Sequence, residues 1–308
     1  LISGLSDGAL LSFLREHRVL AGLADAVLRP MPVSYTSRFW ELRADGRIFI
    51  VKEFYPGLED NPLFPTLPKQ EASALYYLES IGLAPSLEAA FESPDGNPMV
   101  IYGYEPAGSD EIDVREAGKL LVNLASQVIA TKEFQKVPAG ALDVLAQADN
   151  ILTRIPESRR AANLIKLRPS ESDFGNDRID FEPTLVHRSL CLGTVLATRE
   201  GPRLIDWQYA GIGDPVEDLV CFLSPGLLTL YGIRPLALHA EDVLLQTYPD
   251  RDVMRRFERD RIAYHWRLAA YCLYRQESLA CTNPPAARAY GRALEEEVDL
   301  ILRLRAKA

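Results

Sequence analysis

The stretch TLVHRSLCLGTVLATREGPRLIDWQYAGIGDPVEDL, Thr184 to Leu219, decides how this chain is read. It opens on an apolar run that ends in His187-Arg188-Ser189, with Thr194 five residues beyond Ser189. A short hairpin comes next, and Leu204-Ile205 lead into Asp206 at the end of its second strand. A carboxylate at a strand terminus is well placed to meet a cation. The stretch closes on Ala210-Gly211-Ile212-Gly213-Asp214-Pro215 and Asp218-Leu219.

Upstream, the chain alternates strand and helix signals. Ser6 or Asp7 caps a helix with Leu10, Leu11 and Leu14 at helical spacing. Strands over 38–42 and 47–54 flank Ala44-Asp45-Gly46, a hairpin signal, and the second of them reads RIFIVKEF. After a proline-rich loop comes the helix KQEASALYYLESIGL, stopped by Gly82. Two more strands, about 86–91 and 99–104, are joined by the turn SPDGN. Beyond Pro106-Ala107-Gly108 the chain turns helical, with helices expected over 111–133, 139–155, 157–167, 251–280 and 285–306. The expected division is a sheet-rich lobe over 1–106 and a helical lobe over 107–308.

Composition sets broad limits. With 308 residues, 47% hydrophobic and 25% charged, the chain is long enough for two domains. No run approaches the roughly 18 apolar residues of a membrane span, and LISGLSDGALLSFLREH lacks the basic head of a signal peptide. The expected location is cytoplasmic, without a membrane partner. A formal charge of −9 and the absence of a long basic run argue against nucleic acid. Cys191, Cys221, Cys272 and Cys281 show no paired spacing and read as free thiols. The alternating charges of Arg255 to Arg261 and the run Glu295-Glu296-Glu297 read as solvated helix faces. Tyr264, Trp266, Tyr271 and Tyr274 continue an apolar helical pattern and read as core.

Phosphoryl transfer from a nucleotide needs a strand lysine for the phosphates, a helix glutamate to hold it, and an aspartate for Mg²⁺. Lys52 stands in the strand IFIVKEF, Glu71 lies 19 residues later in the next helix, and Asp206 ends the hairpin strand. Singly, each is ordinary, since a strand lysine beside a helix glutamate is usually a surface pair contributing about 0–1 kcal/mol. Their order carries the argument.

With Leu204-Ile205-Asp206-Trp207, Ala210-Gly211-Ile212-Gly213-Asp214-Pro215 and Asp218-Leu219, the chain resembles the aminoglycoside phosphotransferase and choline kinase-like family. The resemblance covers about residues 20–275. It implies an α+β, protein-kinase-like bilobal fold, with an antiparallel-sheet lobe carrying one main helix and a mainly helical lobe. It implies ATP and Mg²⁺ as cofactors. The nucleotide would lie near the hinge Ile101 to Pro106, with Tyr102 and Tyr104, and the small-molecule acceptor on the C-terminal helices. Lys52 would bind phosphate, Glu71 would hold Lys52, and Asp206 would bind the metal. Asp214 and Asp218 match positions that brace the catalytic loop.

The departures concern catalysis. Where the family has His-Gly-Asp and then Asn, this chain has His187-Arg188-Ser189 and Thr194. Ser189 thus stands in for a catalytic aspartate, and a serine hydroxyl has no useful basicity near neutral pH. Thr194 replaces a metal-binding asparagine. Arg188 replaces a glycine and has a phosphate or an acid such as Glu182 as possible partners. The loop PMPVSYTSRFW, Pro30 to Trp40, has no glycine, leaving Ser34, Thr36 and Ser37 as hydroxyl donors to phosphate. The leading expectation is a catalytically impaired or inactive pseudokinase that binds a nucleotide, a small molecule or a protein partner. The alternative is an active ATP-dependent phosphotransferase acting on a small-molecule hydroxyl, with Asp180 or Glu182 as base; nucleotidyl transfer ranks last.

Overall fold

Asp45 and Gly46 both take positive φ, 49° and 73°, the backbone a two-residue hairpin loop requires, and they join the two longest strands among the described residues. In the computed structural model, residues 5–32, 34–106, 114–127, 132–174 and 181–307 are described. The elements run α1 (Asp7–Glu16), β1 (Val27–Pro30), β2 (Ser37–Ala44), β3 (Arg47–Phe54), α2 (Pro68–Glu79), β4 (Leu87–Glu92) and β5 (Pro98–Tyr104). Then come α3 (Val114–Ala125), α4 (Ala141–Leu152), α5 (Arg159–Ile165), β6 (Thr184–Val186), β7 (Val195–Leu196), β8 (Arg203–Leu204) and β9 (Gly211–Gly213). Five helices finish the chain: α6 (Val216–Leu223), α7 (Pro225–Leu230), α8 (Leu238–Thr247), α9 (Arg251–Leu279) and α10 (Pro284–Lys307). This is the α+β, protein-kinase-like architecture expected from the sequence. Strand β1 is an addition to that expectation.

One compact unit comprises Leu1–Glu111 with Leu196–Tyr209. Residues 107–113, where the change of composition puts the lobe boundary, lie outside the described residues, as do parts of the helix expected over 111–133. The unit is built on an antiparallel sheet of order β1-β2-β3-β5-β4. Strand alternation sorts its residues onto two faces. Trp40, Leu42, Phe49, Val51, Met99 and Ile101 pack with Leu10 and Leu14 of α1 in one cluster. The alternate residues Ile50, Lys52 and Phe54 are equally buried, and Lys52 meets α2 through Glu71. Ser6 caps α1 by accepting from the Ala9 amide at 3.3 Å, Pro68 opens α2, and Gly82 at φ 71° lies just past its end.

The second unit comprises Ile112–Val195 with Ala210–Ala308. Its long helix α9 packs against α4, α6 and α10. Tyr264, Trp266, Tyr271 and Leu273 lie in its buried stripe, the core role expected of these aromatics. Strands β6 and β9 pair antiparallel, Thr184 with Gly213 and Val186 with Gly211, so His187 and Asp214 leave the ladder at opposite ends. Gly211 and Gly213 are required here: a side chain at either would collide with Val137, whose amide donates to the Ile212 carbonyl at 3.0 Å. The glycines of the signature are therefore packing residues.

Charge in this unit is buried more than the sequence suggests. Arg256 and Asp260, read from the sequence as part of a solvated face, are 5% and 1% exposed; Arg256 forms a two-pronged pair with Asp214 at 2.8 and 3.0 Å, and Asp260 accepts from Arg259 at 2.6 and 2.8 Å. Glu297, also read as solvated, is buried and accepts from Ser224, Gly226 and His265. Cys191, Cys221 and Cys272 are buried and Cys281 is exposed, and none is in a disulfide among the described residues.

Candidate functional site

The first unit assembles three of the expected residues. Alternation in β3 turns Lys52 to the α2 face, where its Nζ lies 2.6 Å from Glu71 Oε2 and 2.8 Å from Asp206 Oδ1. The rings of Phe54 and Phe39 lie 4.8 and 5.5 Å from the same ammonium. Lys52 and Glu71 are fully buried, so the surface-pair reading fails; without Lys52, Glu71 would carry an unpaired buried charge. Burial opposes the charge on Lys52, but Asp206 and Glu71 outweigh it and hold its pKa above the ordinary range. Burial pushes Glu71 up to about 7 against the pull of Lys52.

Asp206 sits at φ 68°, a left-handed backbone uncommon for a residue with a side chain. The next two residues lock it. Trp207 Nε1 donates back to the Leu204 carbonyl at 2.8 Å, and the Gln208 carbonyl accepts the Leu67 amide at the start of α2. One Asp206 oxygen holds Lys52; the other, Oδ2, has no hydrogen bond among the described residues, and the side chain is 17% exposed.

The glycine-free loop spends its hydroxyls on itself. Ser34 Oγ accepts from the Thr36 and Ser37 amides at 3.2 and 3.0 Å and donates to the Ser37 carbonyl at 3.2 Å. Thr36 Oγ1 accepts from Gln208 Nε2 at 3.1 Å, and Ser37 is buried. Tyr102 is buried in β5, where its hydroxyl is held well above its usual pKa by burial, then by Asp206 and Glu71. Tyr104, at the end of the same strand, lines a different cavity of about 420 Å³ with Arg47, Ser86 and Arg203.

The second unit holds the altered loop. Asp218 braces it, accepting from the His187 and Arg188 amides at 2.9 and 2.7 Å. Burial raises the Asp218 pKa to about 7, even though those two amides pull it down. Ser189 Oγ lies 3.3 Å from His187 Nδ1, and the serine is 4% exposed. Thr194 is fully buried; its hydroxyl accepts from the Cys191 amide and donates to the Cys191 carbonyl, both at 3.0 Å.

Arg188 takes φ 70°, the left-handed conformation that glycine adopts without penalty, which explains the glycine the resemblance places there. Its guanidinium pairs with Glu217, at 3.1 Å, an acid other than the Glu182 expected from the sequence. Arg267 donates to the same carboxylate oxygen at 2.6 Å and to Gln147 Oε1 at 2.9 Å. Burial would raise Glu217, but Arg267 and Arg188 prevail and lower its pKa. Glu217 and Arg267 go unread in the sequence because they lie 29 and 79 residues from Arg188. Asp180, one of the two alternative bases, lies outside the described residues, and Glu182 forms no described ion pair.

The donor set answers the metal question in part. Among the described residues no three His, Cys, Asp or Glu side chains converge as a metal cage. Thr194 does not fit as a ligand, because its hydroxyl is buried and bonded to its own loop. Asp206 fits as one carboxylate for a cation shared with phosphates, the usual Mg²⁺ arrangement.

A family model described as the phosphotransferase enzyme family matches residues 6–257. No curated protein sequence matches the chain. Among solved structures, a putative aminoglycoside phosphotransferase from Ralstonia eutropha JMP134 is similar at 14% identity and TM-score 0.64, covering 98% of this chain and 99% of that one. Choline kinase LicA from Streptococcus pneumoniae is similar at 15% identity and TM-score 0.59, covering 94% and 99%. A spectinomycin phosphotransferase in complex with ADP and spectinomycin is similar at 13% identity and TM-score 0.55, covering 89% and 92%. At these identities the structural likeness establishes the fold.

Proposed function

The chain belongs to the phosphotransferase enzyme family, and from that premise we propose that it is an impaired member which binds a nucleotide but transfers its phosphoryl group poorly. The observation that carries this reading is the closed Thr194 hydroxyl, set beside the open oxygen of Asp206. Nucleotide binding is supported by the buried Lys52, which Glu71 and Asp206 hold charged. The ADP bound by the similar spectinomycin phosphotransferase supports it further.

A Mg²⁺ ion supplies charge neutralisation on the transferring phosphoryl group when bound. Asp206 Oδ2 is the residue atom available to hold it. Lys52 would leave Asp206 for a phosphate oxygen while keeping Glu71, so the same ammonium serves the site with and without nucleotide. Ser189 lacks the carboxylate that would orient and deprotonate an acceptor hydroxyl, a loss worth about 10²–10⁴ in rate. The assembled Lys52 cluster also favours the alternative, an active ATP-dependent phosphotransferase with a small-molecule hydroxyl as acceptor.

Calorimetric titration with Mg²⁺-ATP separates these readings when paired with a measurement of ADP release. Saturable binding that Asp206→Ala weakens at least tenfold, with ADP release near background, is the expected result. ATP turnover in the wild type with an identified phosphorylated product overturns impairment. No binding at millimolar nucleotide overturns both readings.

A further inference from the structure

A second ligand site emerges in the helical unit, with no lining residue from the 184–219 stretch. A cleft of about 1120 Å³ opens between the end of α6, the start of α7, α8, α9 and α10. Seven of its lining residues, from Glu258 to Leu304, come from chain beyond the segment the family model matches, among them Arg261, Glu296 and Leu300. Leu223, Met254, Phe257 and Leu300 give it apolar walls.

Its one deeply buried polar side chain among the lining residues is His265, which is 2% exposed. The ring is oriented from behind. Nδ1 lies 2.8 Å from Glu297 Oε2, while Glu297 Oε1 accepts from Ser224 Oγ and, at 3.0 Å, from the Gly226 amide. A carboxylate that already gathers donors accepts only, so Nδ1 carries the proton and Nε2 is left as an acceptor in the neutral ring. Nε2 has no hydrogen bond among the described residues. Gly226 is required for this arrangement, because a Cβ there would stand 2.7 Å from Glu297 Oε1.

The charge around the cleft selects the sign of the ligand. Glu241, Asp242, Glu258 and Glu296 face Arg261 and Arg303, an excess of two negative charges. An acceptor nitrogen at the base, apolar walls and a negative rim suit a cation with N–H donors and a hydrocarbon body. The alternative of a metal ion lacks converging donors among the described residues. We propose that this cleft binds an organic amine with an apolar body, its ammonium donating to His265 Nε2 and its hydrocarbon portion against Phe257 and Leu300.

The test is calorimetric titration of the full chain with phenethylamine, using phenethyl alcohol and phenylpropionate as neutral and anionic counterparts. The amine should bind saturably and more tightly than either counterpart. His265→Asn keeps a donor near the Nδ1 position for Glu297 and removes Nε2, so it should weaken the amine about tenfold, the worth of one charged hydrogen bond. Because a buried substitution can compromise folding, Glu241→Gln with Glu258→Gln provides a rim variant, which should weaken the amine several-fold and reduce the salt dependence of binding. Absence of amine binding, tighter binding of phenylpropionate, or amine binding unchanged in both variants would each overturn the assignment.

Discussion

Around Lys52, one cation sits between two carboxylates; around Glu217, one carboxylate sits between two guanidinium groups. The two clusters are near mirror images in charge, and both are largely buried. They differ in what remains unspent. The Lys52 cluster carries an extra negative charge and a partly exposed Asp206, the features on which the proposed binding of a further cation rests. At the Glu217 cluster, Arg188 belongs to the loop itself, and the nearby hydroxyls of Ser189 and Thr194 are occupied. Electrostatics there have been turned to holding the loop, and in the other cluster they remain available to a ligand.

The strongest attempt to break this comparison is to reopen the second region chemically. Ser189→Asp together with Thr194→Asn should raise Mg²⁺-ATP turnover about 10²-fold or more, given the usual value of a general base, as measured by ADP release. If the double variant folds, binds ATP and stays at the wild-type rate, the loop substitutions are not what limits transfer.

Removing the central carboxylate sharpens the structural half. Glu217→Ala leaves Arg188 and Arg267 buried without their acid and should cost about 3–5 kcal/mol in chemical denaturation. A loss below about 1 kcal/mol would mean the pair is dispensable.

A third effect is one of pH, the mildest per unit step. Asp218 has a folded-state pKa of about 7, above its ordinary 3.8. Between those values the folded chain binds more protons than the unfolded one, so this group's contribution to stability falls as pH rises from about 4 to 7, with a slope of at most about 1.4 kcal/mol per pH unit. Asp218→Asn removes that slope, and the difference between wild-type and variant melting curves across this window should flatten above pH 7. Neighbouring Glu217, whose pKa is lowered, acts in the opposite sense, favouring the fold above its unfolded value.

How much the sequence reveals depends on distance along the chain. The Asp45-Gly46 turn, the cap at Ser6 and the stop at Gly82 are local, and each is legible from neighbouring residues. Lys52, Glu71 and Asp206 are legible by order, although their burial is not, since a strand lysine has the same letter inside or outside. Arg256 and Glu297 mislead because alternating charge and a run of like charge both normally mark a wet face, and their partners Asp214 and His265 stand 42 and 32 residues away. The loop hydroxyls of Ser34, Thr36 and Ser37 look like ligand donors in the sequence, which has no means of showing that they satisfy one another.

Arg188 couples a strained backbone position to a buried ion pair. It occupies a left-handed backbone position, yet its guanidinium, its amide and its carbonyl are all engaged, by Glu217, Asp218 and the Cys221 thiol. Replacing it by glycine would relieve about 1–2 kcal/mol of backbone strain and in the same step delete one of the two cations that neutralise a buried acid. Arg188→Gly would therefore exchange a relief of backbone strain for the loss of the contact that ties the loop to Glu217, while Glu217 keeps Arg267 at 2.6 Å.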